Sequence, residues 1–221
     1  TAPQKLVKLY NLNGEYDKAI DLLRTHHFRT WEGAREIHEF YVDTHVLKAL
    51  ELMSKNLYKD AVDELNEALL YPENLEVGKA LNDGRAAMMY YFMGQAYEKL
   101  GQKKNAKSFY LKSTKTKNNG QADLVYYQAM AYEALGQNEK VNTMFEELIK
   151  QGESIIKNGA SKTGIGVEEV SAADKYISQG YYLQALGNKG LENNEKAAEL
   201  FQKSLERHNN NLWAKYYMSI Q

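Results

Sequence analysis

The sequence predicts an all-α fold: a right-handed superhelix of about five helical hairpins, with insertions between hairpins and a closing C-terminal helix. Three observations predict it. Only 2 of 221 residues are proline, and proline is what long helices exclude, because it lacks an amide donor and clashes with the preceding turn. One block of small and bulky residues recurs along the chain with its internal spacing kept. After Asn211, the residues Leu212, Trp213, Tyr216 and Tyr217 make an amphipathic segment suited to covering the last hairpin.

The recurring block is anchored on a small residue that opens a helix: Ala19, Ala61, Ala106, Val141 and Ala197. Twelve residues before the anchors stand Val7, Ala49, Gly94, Ala129 and Ala185, small enough for two helices of a hairpin to approach. Nine before stand Tyr10, Leu52, Tyr97, Tyr132 and Asn188, and four after stand Leu23, Leu65, Tyr110, Phe145 and Phe201, which fill the space beside the contact. Five before stand Gly14, Asn56, Gly101, Gly136 and Glu192, where glycine suits the dihedrals that end a helix. Sixteen before, the later copies carry His45, Tyr90, Val125 and Tyr181.

This pattern resembles the tetratricopeptide repeat, a helical hairpin of about 34 residues. The resemblance implies one solenoid domain over 1–221, with repeats at about 1–33, 42–75, 87–120, 122–155 and 178–211. The gaps between anchors are 42, 45, 35 and 56 residues. The excess falls between hairpins, at about His26–Tyr41, Tyr71–Gly84 and Asn158–Val167, the last preceded by a helix lengthened through Lys157. In a helical-hairpin solenoid such junctions share one edge, so the extra residues should gather along one rim.

Two insertions carry more specific words. Trp31-Glu32-Gly33, His38 and Tyr71-Pro72-Glu73-Asn74-Leu75 resemble the C-terminal region of a bacterial domain-of-unknown-function family, over Leu6 to about Lys112. Large members of that family join an N-terminal galactose-mutarotase-like β-sandwich region to C-terminal tetratricopeptide repeats. The resemblance implies a piece of a larger protein with a role in carbohydrate metabolism. The opening Thr1-Ala2-Pro3, without methionine, reads as a cut through a longer chain or as a processed end.

Composition narrows the function. Lys+Arg 28 against Asp+Glu 29 leaves a net charge of -1, which offers no electrostatic footprint for nucleic acid or an anionic membrane. No apolar run approaches a membrane span. The chain has 0 cysteines, which removes disulfides, cysteine-ligated zinc and a thiol nucleophile. The compartment stays open between cytoplasm and periplasm, and the expectation is a soluble chain.

Candidate chemistry is sparse. His26, His27, His38 and His45 cluster, and His38 and His45 share a face if one helix holds both. Their spacing is not that of a metalloprotease helix, and no metal or cofactor is expected. Lys162-Thr163 beside glycines lacks the spacing of a phosphate loop. Glu146-Glu147 and Glu168-Glu169 read as solvated helix faces. No nucleophile arrangement stands out, so the chain by itself is not expected to be an enzyme.

Two surfaces remain as binding candidates. Arg29, Trp31, Glu32, Arg35, His38, Tyr71, Glu73 and Asn74 form the expected ligand- or domain-docking set on the rim, because tryptophan and arginine combine large area with directional polar groups. Val46, Tyr91, Gln95, Tyr126, Met130, Tyr182 and Leu186 are expected along the concave groove. Repeat modules that grip a peptide carboxylate carry lysine and asparagine at such places. The aromatic and aliphatic residues here argue for an apolar partner surface, a sugar face, or tyrosines packed on each other. The expected function is a non-catalytic binding and docking module, packing on a carbohydrate-related β-sandwich of the same protein. Two alternatives stay open: residues contributed to a shared sugar-processing active site, and a free-standing peptide-binding adaptor. The expected partner is a protein or a carbohydrate, with no nucleic acid and no membrane.

Overall fold

A computed structural model describes residues 2–29, 35–79, 83–117, 120–160 and 167–220. The described residues are helical, with no strand, and they divide into two compact units, Thr1–Asn119 and Gly120–Gln221. The first unit contains α1 (Ala2–Leu12), α2 (Tyr16–Thr25), α3 (Arg35–Ser54), α4 (Tyr58–Glu67), α5 (Ala86–Lys99) and α6 (Lys103–Lys115). The second contains α7 (Leu124–Ala134), α8 (Val141–Ala160), α9 (Val167–Gly190), α10 (Asn194–Arg207) and α11 (Leu212–Ser219). In each unit, consecutive helices pack as antiparallel hairpins, and each hairpin packs on the next.

The five anchored hairpins turn the same way. The residue five before each anchor is left-handed: Gly14 (φ 73), Asn56 (φ 61), Gly101 (φ 72), Gly136 (φ 72) and Glu192 (φ 62). The next residue then donates its amide to the carbonyl five residues back, closing the first helix. These bonds run Glu15 to Tyr10, Leu57 to Leu52, Gln102 to Tyr97, Gln137 to Tyr132 and Asn193 to Asn188, each at 2.9 Å. The left-handed residue itself donates to a carbonyl three back, at 2.8–3.2 Å in the five turns. This is the Schellman closure, which satisfies two carbonyls that the helix end leaves without a partner. Glycine takes the left-handed basin freely, whereas a residue with Cβ is strained there.

In the third copy the small and bulky positions interlock as their spacing predicts. A Cβ built on Gly94 would lie 2.4 Å from the Tyr110 ring, so the glycine makes the space that this ring fills. Tyr110 is buried, and its hydroxyl donates to Glu98 at 2.7 Å. Burial, with the Glu98 carboxylate next, pushes that phenol well above its usual value.

The third excess of residues does more than lengthen a loop. It extends both α8 and α9, which run against each other over their length. Their backbones come close at Gly152 and Gly180: a Cβ on Gly152 would sit 2.4 Å from the Gly180 carbonyl oxygen. At the end of the second unit, Asn211 accepts from the Ala214 amide at 3.2 Å and donates to Ser178 and Ser204. It thereby caps α11 and ties it to two other helices. Tyr217 of α11 stacks on Phe201 at 5.1 Å and shares a buried hydrogen bond with Tyr127 at 3.1 Å.

Glu192 occupies a basin that glycine prefers, so Glu192→Gly should stabilise the chain by about 0.5–1 kcal/mol, and Gly101→Ala should destabilise it by about 1–2 kcal/mol. Thermal unfolding followed by circular dichroism checks both signs. A lower Tm for Glu192→Gly would contradict the strain assigned to that turn.

Candidate functional site

The insertions of the first unit are joined to each other. The first supplies the opening turns of α3, which is one continuous helix from Arg35. His38, Tyr41 and His45 therefore stand one and two turns apart along one stripe, the periodicity expected of residues three, four and seven apart. The second insertion leaves α4 through an extended Pro72 (φ -59, ψ 139) and forms a short 3-10 turn at Glu73–Leu75, where irregular turns were expected. Leu75 is fully buried beneath it.

One ring stack and four hydrogen bonds lock these segments. The His38 ring stacks on Tyr71, with centroids 3.8 Å apart and planes 16° apart. His38 Nε2 donates to the Leu70 carbonyl at 2.9 Å. Asn74 reaches across 51 and 48 residues to donate its side-chain amide to the carbonyls of Leu23 (2.8 Å) and His26 (2.7 Å), and its main-chain carbonyl accepts from the Phe28 amide at 2.8 Å. Those two acceptors lie at the C-terminal end of α2, so Asn74 caps a helix that is distant in sequence. His27 adds a contact to Glu76 at 2.7 Å.

These segments wall a cleft of about 660 Å³, lined among others by Ile20, Leu23, Tyr41, His45, Glu64, Glu67 and the stretch Leu70 to Asn74. His45 Nδ1 meets Glu64 at 2.7 Å, and the Tyr41 hydroxyl donates to Glu67 at 3.4 Å. Burial raises the Tyr41 phenol well above its usual value, and the Glu67 charge raises it further, so it remains a neutral donor. On the far side of the Leu70–Tyr71 wall lies a second cleft of about 600 Å³, with Lys79, Asp83, Tyr90, Lys115 and Lys117 in its lining. Tyr71 donates to Asp83 at 2.9 Å. Arg85 pairs with Asp43, and it also donates to the Glu39 carbonyl at 3.2 Å.

The structure brings together His38, Tyr71 and Asn74 of the expected rim set. Glu73 is exposed and lines the first cleft, and Arg29 is exposed. Trp31 and Glu32 lie outside the described residues. The Arg35 backbone opens α3, and its side chain lies outside them too. Of the residues expected along the groove, Val46, Tyr91, Tyr126, Tyr182 and Leu186 are buried, with Tyr91, the most open, at 6% exposure. Met130 is half-buried, and so is Gln95, which donates to the Tyr91 hydroxyl at 2.8 Å. Sequence reading passed over Tyr41, Glu64, Glu67 and Leu70. The signal was present in the spacing of His38, Tyr41 and His45 on one helix and of Glu64 and Glu67 on the next. Among the described residues, no group of three or more histidine, aspartate or glutamate side chains could hold a metal ion. No described helix is long and apolar enough to cross a membrane.

Residues 87–119, which span α5 and α6, match a model of the tetratricopeptide repeat, and residues 123–151, over α7 and part of α8, match a second model of that repeat. The chain carries tetratricopeptide repeats. Among solved structures it is similar to the crystal structure of MamA, at 20% identity over 90% of this chain and 92% of that one, with a TM-score of 0.33. It is also similar to YrrB, described as a TPR protein with an unusual peptide-binding site, at 16% identity over 98% of this chain and 90% of that one, with a TM-score of 0.33.

Two outcomes follow from the rim. Asn74→Ala removes both donors to the α2 carbonyls and should cost about 1–3 kcal/mol. Asn74→Asp should cost more, because a carboxylate would face two acceptors, and urea unfolding of the three proteins ranks them. The second outcome concerns pH. Burial depresses His38 below the ordinary imidazole value, against upward pulls from the Leu70 carbonyl and Asp83 and with a further downward push from Arg85. The unfolded chain thus binds more protons at this residue than the folded chain in acid. The site's contribution is complete above about pH 6.5 and is lost as pH falls below it. Tm should fall more steeply between about pH 7 and pH 5 in the wild type than in His38→Gln; equal slopes would contradict the assignment.

Proposed function

We propose that this chain is a non-catalytic docking module and that the rim of its first unit receives the partner. The observation that supports this reading is the contrast between the two candidate surfaces. The tyrosines expected along the groove are buried, whereas the locked insertions wall an open, partly apolar cleft with an exposed Leu70 at its edge. A cleft whose walls are held by a ring stack and by hydrogen bonds spanning about 50 residues is preorganised, so binding orders few groups. Exposed apolar area beside a preformed cleft is also the usual mark of an interaction surface.

The resemblance of the insertion motifs supports, as that partner, a carbohydrate-related β-sandwich domain of the same protein. The test uses the product of the whole gene. A β-sandwich region expressed separately should co-purify with this chain, and Leu70→Ser with Tyr71→Ala should weaken the association at least about tenfold while helicity is retained. A gene product without such a region would refute the carbohydrate partner. Undiminished association in the double variant would refute the rim as the docking surface.

A further inference from the structure

We propose that the rim recognises its partner by paired opposite charges: a basic side chain enters the first cleft and an acidic side chain the second, with an apolar residue laid over Leu70 between them. This rests on the rim-docking reading and specifies the chemistry of the partner segment.

The two clefts share one wall, Leu70 and Tyr71. On one side stand Glu64, Glu67 and Glu73, set against His45, which is engaged with Glu64, and Arg24, which is paired with Asp21 at 2.9 Å. On the other side stand Lys79, Lys115 and Lys117, set against Asp83, which accepts from Tyr71 and from the Arg85 amide. The carboxylates of the first cleft have no lysine or arginine partner among the described residues, and the lysines of the second have no carboxylate partner. Charges of one sign gathered in a cleft with low-dielectric walls act together on a ligand of the other sign. The Tyr41 and Tyr71 rings in the first cleft also suit a guanidinium or ammonium group, which is attracted to an aromatic face.

The wall itself sets the polarity of the partner. Leu70 is 49% exposed, while its carbonyl is held by His38, so the crest offers an apolar side chain on an anchored backbone. An extended segment crossing it would present alternate side chains to the acidic cleft, the crest and the basic cleft. The occupant is therefore a protein segment of basic, apolar and acidic residues in that order across the wall. A uniformly acidic or uniformly basic partner would meet one cleft and be repelled by the other.

The experiment uses the whole 221-residue chain, labelled with nitrogen-15. The probe is the pentapeptide acetyl-Arg-Ala-Leu-Ala-Glu-amide, and its control replaces arginine by citrulline and glutamate by glutamine. The charged probe should shift the amide signals of Glu67, Leu70, Tyr71 and Lys115 and bind about tenfold more tightly than the control. The charge-reversed chain Glu67→Lys with Glu73→Lys should lose that preference while keeping its spectrum elsewhere. Equal binding of both peptides at these residues, or no shift there with the charged one, overturns the charge pairing. Either result leaves rim docking to be judged by the association of the β-sandwich region, which does not depend on this probe.

Discussion

Each of the five anchored hairpins depends on a single backbone event, the left-handed residue that closes its first helix. With φ between 61 and 73 there, the following amide can reach back five residues to a carbonyl at 2.9 Å. The chain then re-enters a helix within a few residues, directed back along the one it has just left. All five turns use the same pair of bonds, which sets the same register between the two helices of each hairpin. In the third copy that register sets Gly94 under the Tyr110 ring. The core of each unit is a consequence of this register, because a different turn would aim the same side chains elsewhere.

Upon that regular frame the first unit adds an irregular one. Residues between hairpins lengthen α3 toward its N-terminus and form the stretch from Tyr71 onward, and the two additions hold each other. Asn74 carries much of the connection, since it supplies the end of α2 with donors that the helix lacks within its own sequence. The His38–Tyr71 stack then keeps the cleft wall upright between two pools of opposite charge. In the second unit the extra residues are used differently. They extend α8 and α9 and let them close on each other at Gly152 and Gly180, which adds helix contact where the first unit has a cleft.

Much of this was legible from residue spacing alone. The five turn positions, the small and bulky pairs and the closing helix all follow from local rules, because helix periodicity and the left-handed basin act within about one turn of the chain. The meeting of the two insertions was legible as an edge relation, since junctions between hairpins recur on one side of such an array. The extent of α3 was not, because nothing in His26–Tyr41 marks where the insertion stops and the helix begins.

What the sequence by itself determined is therefore the set of hairpins and their register. Those properties arise from interactions among residues close along the chain. Only the tertiary structure decided which side chains reach solvent. Tyr91, Tyr126 and Tyr182 stand at positions that face either a groove or a neighbouring ring, and packing between helices buries them. Likewise, Asn74 could have been one more turn-former. Its role as the cap of α2 depends on a carbonyl 51 residues away, and chain separation of that length leaves no trace in local spacing. The two clefts arise in the same way. Glu64, Glu67 and Glu73 come to one side of Leu70 and the lysines to the other through the path of the insertion, and that path is set by the contacts it makes.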